Sequence, residues 1–316
     1  MRILITGGAG FIGSHFVRYI LEKHPDYDVV VLDKLTYAGR TENLHDVLES
    51  VRFIHGDVCL PGDVDKAMNG CNTVFNFAAE SHVDRSITGA GAFVNTNVWG
   101  TCVLLEAARR HRIERFIQIS TDEVYGSCLN GSFSEDDVAN PSSPYAASKA
   151  GADLLSLSYA RTYGLPVVIT RSSNNFGPYQ YPEKVIPLFI TNAIEGKPLP
   201  VYGDGRNIRD WIYVQDNCGA IDFISQNGTP GEIYNIAAKN ERENLEIVDQ
   251  ILQFLKKPRD LIQFVQDRPA HDRRYSLDVT KMTALGWVCA TPFEKALTET
   301  VEWYQNNEWW WKPLRR

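Results

Sequence analysis

The first apolar run of the chain, residues 3–6, breaks at once into Gly7-Gly8-Ala9-Gly10-Phe11-Ile12-Gly13, which leads into a stretch of helical periodicity. Glycines three apart between a strand and a helix constrain the backbone more than any other feature of the sequence. Gly7 permits the tight turn, Gly10 lets main chain approach a pyrophosphate, and Gly13 lets the helix lie close to the strand. The free N–H groups of the helix then favour an anion at the turn. Asp33 ends the next apolar run 20 residues after Gly13, where a carboxylate can accept both hydroxyls of an adenosine ribose. The same carboxylate repels a 2′-phosphate, so the pattern predicts NAD rather than NADP. Asp57-Val58 would flank the adenine, and Phe77-Ala78-Ala79 leaves small side chains where the dinucleotide passes.

The rest of the first half repeats this alternation. Apolar runs at 3–6, 29–33, 52–55, 73–78, 116–120 and 167–171 lack a strict period of two, as strands covered on both faces do. Helical periodicity fills 14–24, 62–69, 92–110 and 145–163 between them. The expected fold class is α/β, a Rossmann-type doubly wound parallel sheet with a smaller C-terminal α/β substrate lobe. Residues 1–173 would form the dinucleotide-binding domain, including the 145–163 helix. From about 174 onward Pro178, Pro182, Pro187, Pro198 and Pro200 cut the chain into short pieces. Residues 174–316 would therefore be mainly the second ligand's lobe, with helices at 246–256 and 293–306 and some elements returned to the core. Trp309-Trp310-Trp311 is expected to pack the tail onto the body rather than do chemistry.

Composition excludes several classes. With a net charge of −7 and no basic stripe, a nucleic-acid partner is not expected. No apolar run approaches the ~20 residues of a membrane span, and no signal segment is seen, so the chain is expected to be cytoplasmic and not membrane-bound. Its six cysteines are widely spaced without a CxxC pair, which predicts reduced thiols and no metal site.

Tyr145 and Lys149 stand four apart, on one face of a helix. A tyrosine with its ordinary pKa of ~10 serves as a base near neutrality only after a shift of ~3 units, about 4 kcal/mol. A lysine ammonium and a positively charged nicotinamide can supply that stabilisation. YxxxK alone is common in helices; joined to the glycine turn and to a strand-end Thr121 it is specific. Asp122-Glu123 follows. Neighbours on a regular strand face opposite sides, so both acids reach one ligand only if the chain has left the strand for the loop at its C-terminal end.

With these motifs the chain resembles the extended short-chain dehydrogenase/reductase family, and within it the nucleotide-sugar 4,6-dehydratases, nearly end to end. Ala78-Ala79-Glu80-Ser81-His82-Val83-Asp84-Arg85-Ser86, residues 121–126, Ser173-Asn174-Asn175 with Gly177-Pro178-Tyr179, Pro182-Glu183-Lys184, Arg209-Asp210-Trp211 and Arg268-Pro269 with residues 271–275 carry the likeness. It implies NAD held by Gly7, Gly10, Phe11, Ile12, Gly13, Asp33, Lys34, Leu35, Thr36, Asp57, Val58, Phe77, Ala78, Ala79, Ser81, Thr96, Tyr145, Lys149 and Asn175. It implies catalysis by Thr121, Asp122, Glu123, Tyr145 and Lys149. Tyr145 would be the base that oxidises C4 of a hexose, Glu123 the base at C5 and Asp122 the acid at the C6 hydroxyl. The substrate, a nucleotide-diphosphate hexose with dTDP-glucose favoured, would meet Ser81, His82, Thr121, Asn174, Lys184, Val185, Pro200, Val201, Tyr202, Arg209, Asn244, Arg268 and His271. Members of the family also imply a homodimer, formed through the 92–110 and 145–163 helices.

Three departures from the family pattern are visible: Ala270 replaces a usual glycine, Ser172 a usual cysteine, and the chain is somewhat short. Alternatives are UDP-glucose or another NDP-hexose, since one methyl in a pocket is worth only about 1–3 kcal/mol. From a different class comes a non-catalytic NAD-binding regulator, whose mark would be loss of Tyr145, Lys149 or the acids. All four are present. The Asp122-Glu123 pair argues against an epimerase or decarboxylase.

Overall fold

The computed structural model describes residues 1–269 and 271–315; Ala270 lies outside them. Its strands are β1 (Arg2–Thr6), β2 (Asp28–Asp33), β3 (Arg52–His55), β4 (Thr73–Asn76), β5 (Arg115–Thr121), β6 (Val167–Ser172), β7 (Asn174–Phe176), β8 (Leu199–Tyr202), β9 (Ile208–Tyr213), β10 (Ile233–Ile236), β11 (Glu241–Glu243) and β12 (Ile262–Val265). Seven of them form one sheet in the order β10-β6-β5-β4-β1-β2-β3, every pair parallel. The order reverses between β1 and β4, and in such sheets the crevice beyond the strand ends at the reversal is where ligands bind.

Apolar side chains leave both faces of this sheet. Leu4, Val30, Leu32, Val74, Phe116 and Val167 pack under the helices Pro61–Met68, Gly100–His111 and Pro144–Tyr163. Ile3, Ile5, Val29, Val31, Phe75 and Ile117 pack on the opposite side, where the helices Phe11–Lys23 and Val214–Asn227 lie against each other. Fully burying each such Val, Leu or Ile contributes roughly 1.5–3 kcal/mol. The second core continues through Val201, Trp211, Ile251, Val301 and Trp310. The second half is therefore built onto the sheet rather than tethered to it.

Several elements differ from the sequence reading. β10 joins the edge of the main sheet although its four residues, Ile-Tyr-Asn-Ile, are too few to stand out. The 92–110 helix is not continuous: Gly91–Phe93 and Gly100–His111 flank a π-helical segment, Val94–Trp99. Beyond the main sheet, β11-β9-β7 form a three-stranded sheet and β12-β8 a parallel pair. The helices at Asn244–Leu255 and Phe293–Asn306 lie where the periodicity placed them, while Val185–Glu195 and Val214–Asn227 were not anticipated. In the tail, Trp310 and Trp311 are buried, and their indole N–H groups donate to Asn43 Oδ1 at 2.8 Å and Tyr304 O at 2.7 Å. Trp309 stays exposed, edge-on to His45.

Candidate functional site

The glycine turn sits between β1 and the helix Phe11–Lys23. Gly7 has φ +67°, and a side chain there would stand 2.6 Å from Ala78 N; at Gly13 it would stand 2.2 Å from Gly7 O. Strand, helix and the loop after β4 are thus in contact only because both residues lack a Cβ. Asp33 is buried at the end of β2 and accepts the Ala9 and Leu35 amides at 2.9 and 2.8 Å. Burial raises its pKa while those two amides oppose the rise. Each carboxylate oxygen keeps a lone pair for a ribose hydroxyl.

A cleft of about 1290 Å³, continuous with solvent, runs over the crevice. Gly7, Gly10, Phe11, Ile12, Gly13, Asp33, Lys34, Thr36, Asp57 and Val58 line one part of it. Phe77, Ala78, Ala79, Ser81, Thr96, Tyr145, Lys149 and Lys184 line the rest. Leu35 and Asn175 do not. Leu35, at φ +53°, turns its side chain against the core and offers its amide to Asp33. Asn175 donates its side chain to Ser173 O at 3.0 Å. Tyr37, Gln180, Tyr181 and Glu183 also line the cleft. The Arg85 guanidinium lies 3.8 Å from the Tyr37 ring centroid and bonds Glu183 at 2.9 Å, linking the loops that overhang the cleft.

β5 ends at Thr121, and Asp122–Tyr125 turn as a 3₁₀ helix, so the chain bends where two adjacent acids could share one site. The Thr121 hydroxyl accepts the Glu123 amide at 3.3 Å and donates to Asp122 Oδ1 at 3.2 Å. Asp122 Oδ2 is buried without a partner. Burial first, then the neighbouring Glu123 charge, holds the Asp122 carboxyl well above the usual range. Burial also raises Glu123, but Lys184, Arg268 and Arg209 all oppose that rise. The two acids thus stand in different fields.

The helix Pro144–Tyr163 starts with Ser143, whose Oγ accepts the Ala146 amide at 3.1 Å, and with Pro144 in its first turn. It carries Tyr145 and Lys149 to the strand end. Lys149 Nζ donates to Ile119 O at 2.5 Å, and burial brings its pKa down to about 8 against the opposing charge of Asp153. Tyr145 differs from the expectation. Burial, then Glu123 and Asp122, push its phenol up, and the Thr121 hydroxyl opposes them.

The nucleotide-end candidates are scattered in sequence but share one electrostatic neighbourhood. Arg209 is buried, donating to Ile208 O at 2.7 Å and Asp272 O at 2.9 Å, with its guanidinium 4.2 Å from the Tyr275 ring centroid. Arg268 bonds Asp84 at 3.2 Å, His271 bonds Asp267 at 2.6 Å, and Lys184 donates to Ser81 O at 2.8 Å. Tyr202 is exposed and edge-on to His271, whereas Val201 points into the core. Pro200 is half-buried beside it, and Val185 opens the helix after Lys184. His82 lies 3.5 Å from Glu183. Asn174 Oδ1, Asn175 Oδ1, Gln180 Oε1, Glu183 Oε1 and Asn244 Oδ1 are buried without hydrogen-bond partners, the condition of polar groups that a ligand satisfies.

Sequence reasoning missed Asn97. Its side chain bonds the Glu80 amide at 2.9 Å, Glu80 O at 3.0 Å and Ser148 Oγ at 2.8 Å. Nothing in the local pattern signals it, because the π-helical segment that aims it is not written in the periodicity.

Fold and site together define a short-chain dehydrogenase/reductase of the extended type, with two acids added beside its tyrosine and lysine. The profile of the family described as GDP-mannose 4,6 dehydratase matches residues 4–300, and the chain belongs to that family. It is 52% identical to a dTDP-glucose 4,6-dehydratase of Streptomyces niveus, over all of this chain and 96% of that one. A low-salt glycan biosynthesis protein of Haloferax volcanii is 53% identical over 98% of this chain and all of its own. The crystal structure of a dTDP-glucose 4,6-dehydratase from Streptomyces venezuelae, with NAD and dTDP bound, superposes with a TM-score of 0.97 at 49% identity, covering both chains completely.

Proposed function

We infer that the protein is an NAD-dependent lyase that converts dTDP-glucose to dTDP-4-keto-6-deoxyglucose and water, a step of deoxysugar biosynthesis. The observation that carries this reading is the Asp122-Glu123 pair, turned out of β5 into the electrostatic reach of Tyr145. Near-50% identity to dTDP-glucose 4,6-dehydratases along the full length supports the nucleotide. The NAD held along the glycine turn and Asp33 supplies a hydride acceptor and later donor. Tyr145 takes the C4 hydroxyl proton, with Thr121 bonding the C4 oxygen and Lys149 orienting the ribose of the cofactor. The C4 ketone acidifies the C5 proton, which Glu123 removes. Asp122, whose carboxyl burial and the Glu123 charge hold well above the usual range, delivers a proton to the C6 hydroxyl, and water leaves. C6 then takes back the hydride and C5 the proton that Glu123 removed, so the cofactor would end each cycle as it began.

Arg209, Arg268 and Lys184 supply the positive charge that a diphosphate needs in a protein of net charge −7. Residues 1–173 are assigned as the dinucleotide-binding domain and 174–316 as mainly the nucleotide-sugar lobe, which returns β10 to the sheet. All six cysteines are unpaired, and no helix among the described residues is long and apolar enough to cross a membrane. A homodimer is supported by Val94, Trp99, Leu154 and Tyr163, apolar side chains exposed on the segments around Gly100–His111 and along Pro144–Tyr163. Leu154→Asp should then sediment as a monomer if the wild type is a dimer; an unchanged assembly rejects that face.

Incubation of purified protein with dTDP-glucose and UDP-glucose in parallel tests the reaction. Loss of one water by mass from dTDP-glucose is expected, and faster than from UDP-glucose. No loss from either would refute the assignment, and a preference for UDP-glucose would refute the nucleotide.

A further inference from the structure

Below the reacting groups, one turn further along the same helix, lies a buried ion pair that the proposed reaction does not use. Asp153 follows Lys149 by four residues, as Lys149 follows Tyr145, so the three share one helix face. Asp153 is 1% exposed and its partner Arg171, on β6, 5%; Arg171 Nε donates to Asp153 Oδ2 at 3.0 Å. The Arg171 guanidinium is itself held 4.6 Å from the ring centroid of Tyr125, whose hydroxyl donates to Asn235 at 2.9 Å. Asp153 Oδ1 makes no full hydrogen bond, and the Ser120 hydroxyl stands near the carboxylate.

We propose that Asp153, clamped by Arg171, is a positioning residue that keeps Lys149 charged and directed at the strand end beside Tyr145. The inference rests on the roles given above to Tyr145 and Lys149. A buried ion pair at this depth adds little stability over well-packed apolar residues, because two charges must be desolvated. Its place under Lys149 gives it a purpose that stability does not. Few groups face these side chains: Ile119 O and Asp153 around Lys149, with Ser120 of β5, Arg171 of β6 and Tyr125 of the turn after β5 around the pair. Asp153 supplies the negative charge that opposes the desolvation of Lys149, and burial already brings that lysine down to about 8. Neutralising Asp153 leaves Arg171 uncompensated and moves Lys149 lower still. The lysine would then lose its proton at lower pH than in the wild type.

The test is the pH dependence of turnover in the holoenzyme, from about pH 6 to 9.5, with bound NAD measured in the same samples. Asp153→Asn is expected to move the alkaline limb down by about one unit, a loss of roughly fivefold at pH 8 that approaches tenfold at higher pH, with KM and NAD content near wild type. Asp153→Glu should restore much of the limb. Should the single variant fail to fold, Asp153→Asn with Arg171→Met removes both charges, and its limb is expected between wild type and the single variant's expected position. A limb unmoved in a folded variant, or activity lost equally at every pH, overturns the proposal. Lys149→Met separates this from the underlying reading: full activity in that variant would mean that Lys149 itself had been misassigned.

Discussion

Asp122 and Glu123 are neighbours in sequence with opposite tasks, and their surroundings separate them. Asp122 has an orphaned buried oxygen, no cation beside it nearer in influence than Glu123, and a carboxyl held well above its usual range. Glu123 is the one on which Lys184, Arg268 and Arg209 converge. Burial disfavours charge at both, but three cations oppose it at Glu123, whereas at Asp122 the Glu123 charge adds to it. Glu123→Gln should allow C4 oxidation and stop at the elimination, so absorbance of reduced cofactor should accumulate on mixing with dTDP-glucose while loss of water falls by about 10²-fold or more. If neither reduced cofactor nor product forms, Glu123 acts before the elimination. At this scale the sequence was informative where spacing carries the chemistry, as for the glycines, Asp33 and the 145/149 pair. It was uninformative about protonation. The rise of the Tyr145 phenol depends on burial and on two carboxyls of another segment, quantities that no local pattern records.

Strands buried on both faces announce themselves by uninterrupted Val, Ile and Phe, which is why β1 to β6 were legible within a residue or two at most ends. β10 and the helix Val214–Asn227 were not, because their assignment depends on the sheet edge and helix they pack against. The π-helical segment Val94–Trp99 is a subtler case: it differs from α-helix by where one backbone bond falls, not by residue type. It turns Asn97 between the loop after β4 and the helix bearing Tyr145. Asn97→Ala would leave the half-buried Glu80 amide and carbonyl without their partner. A cost of about 2–4 kcal/mol is expected, since each orphaned group costs roughly 1–3. Thermal unfolding should show the loss, and NAD should dissociate faster because the cleft wall at Ala79 and Glu80 is no longer fixed. Wild-type stability and NAD retention would show that the segment does not brace the wall.

At the scale of the whole molecule the two halves share one core, and His15 is among the polar links that pass between them. Its Nε2 lies 2.8 Å from Pro178 O, across 163 residues of chain. Neither residue marks the contact in the sequence, because a histidine on a helix face is as often solvated as buried. Burial lowers the imidazole to about 4, with Arg18 adding to the fall and the Pro178 carbonyl and Asp46 opposing it. Nε2 therefore donates as the neutral ring. An unfolded chain takes up a proton at this site below about pH 6.5, whereas the folded protein does so only near 4. Stability from the site is complete above pH 6.5, falls as pH drops from there to about 4, and then levels. The span corresponds to about 3 kcal/mol. His15→Gln keeps a donor for Pro178 but cannot titrate, so its urea midpoint should change less between pH 6.5 and 4 than that of the wild type. Equal slopes for the two proteins would mean that the acid sensitivity arises elsewhere, and that the link between the halves does not depend on a neutral His15.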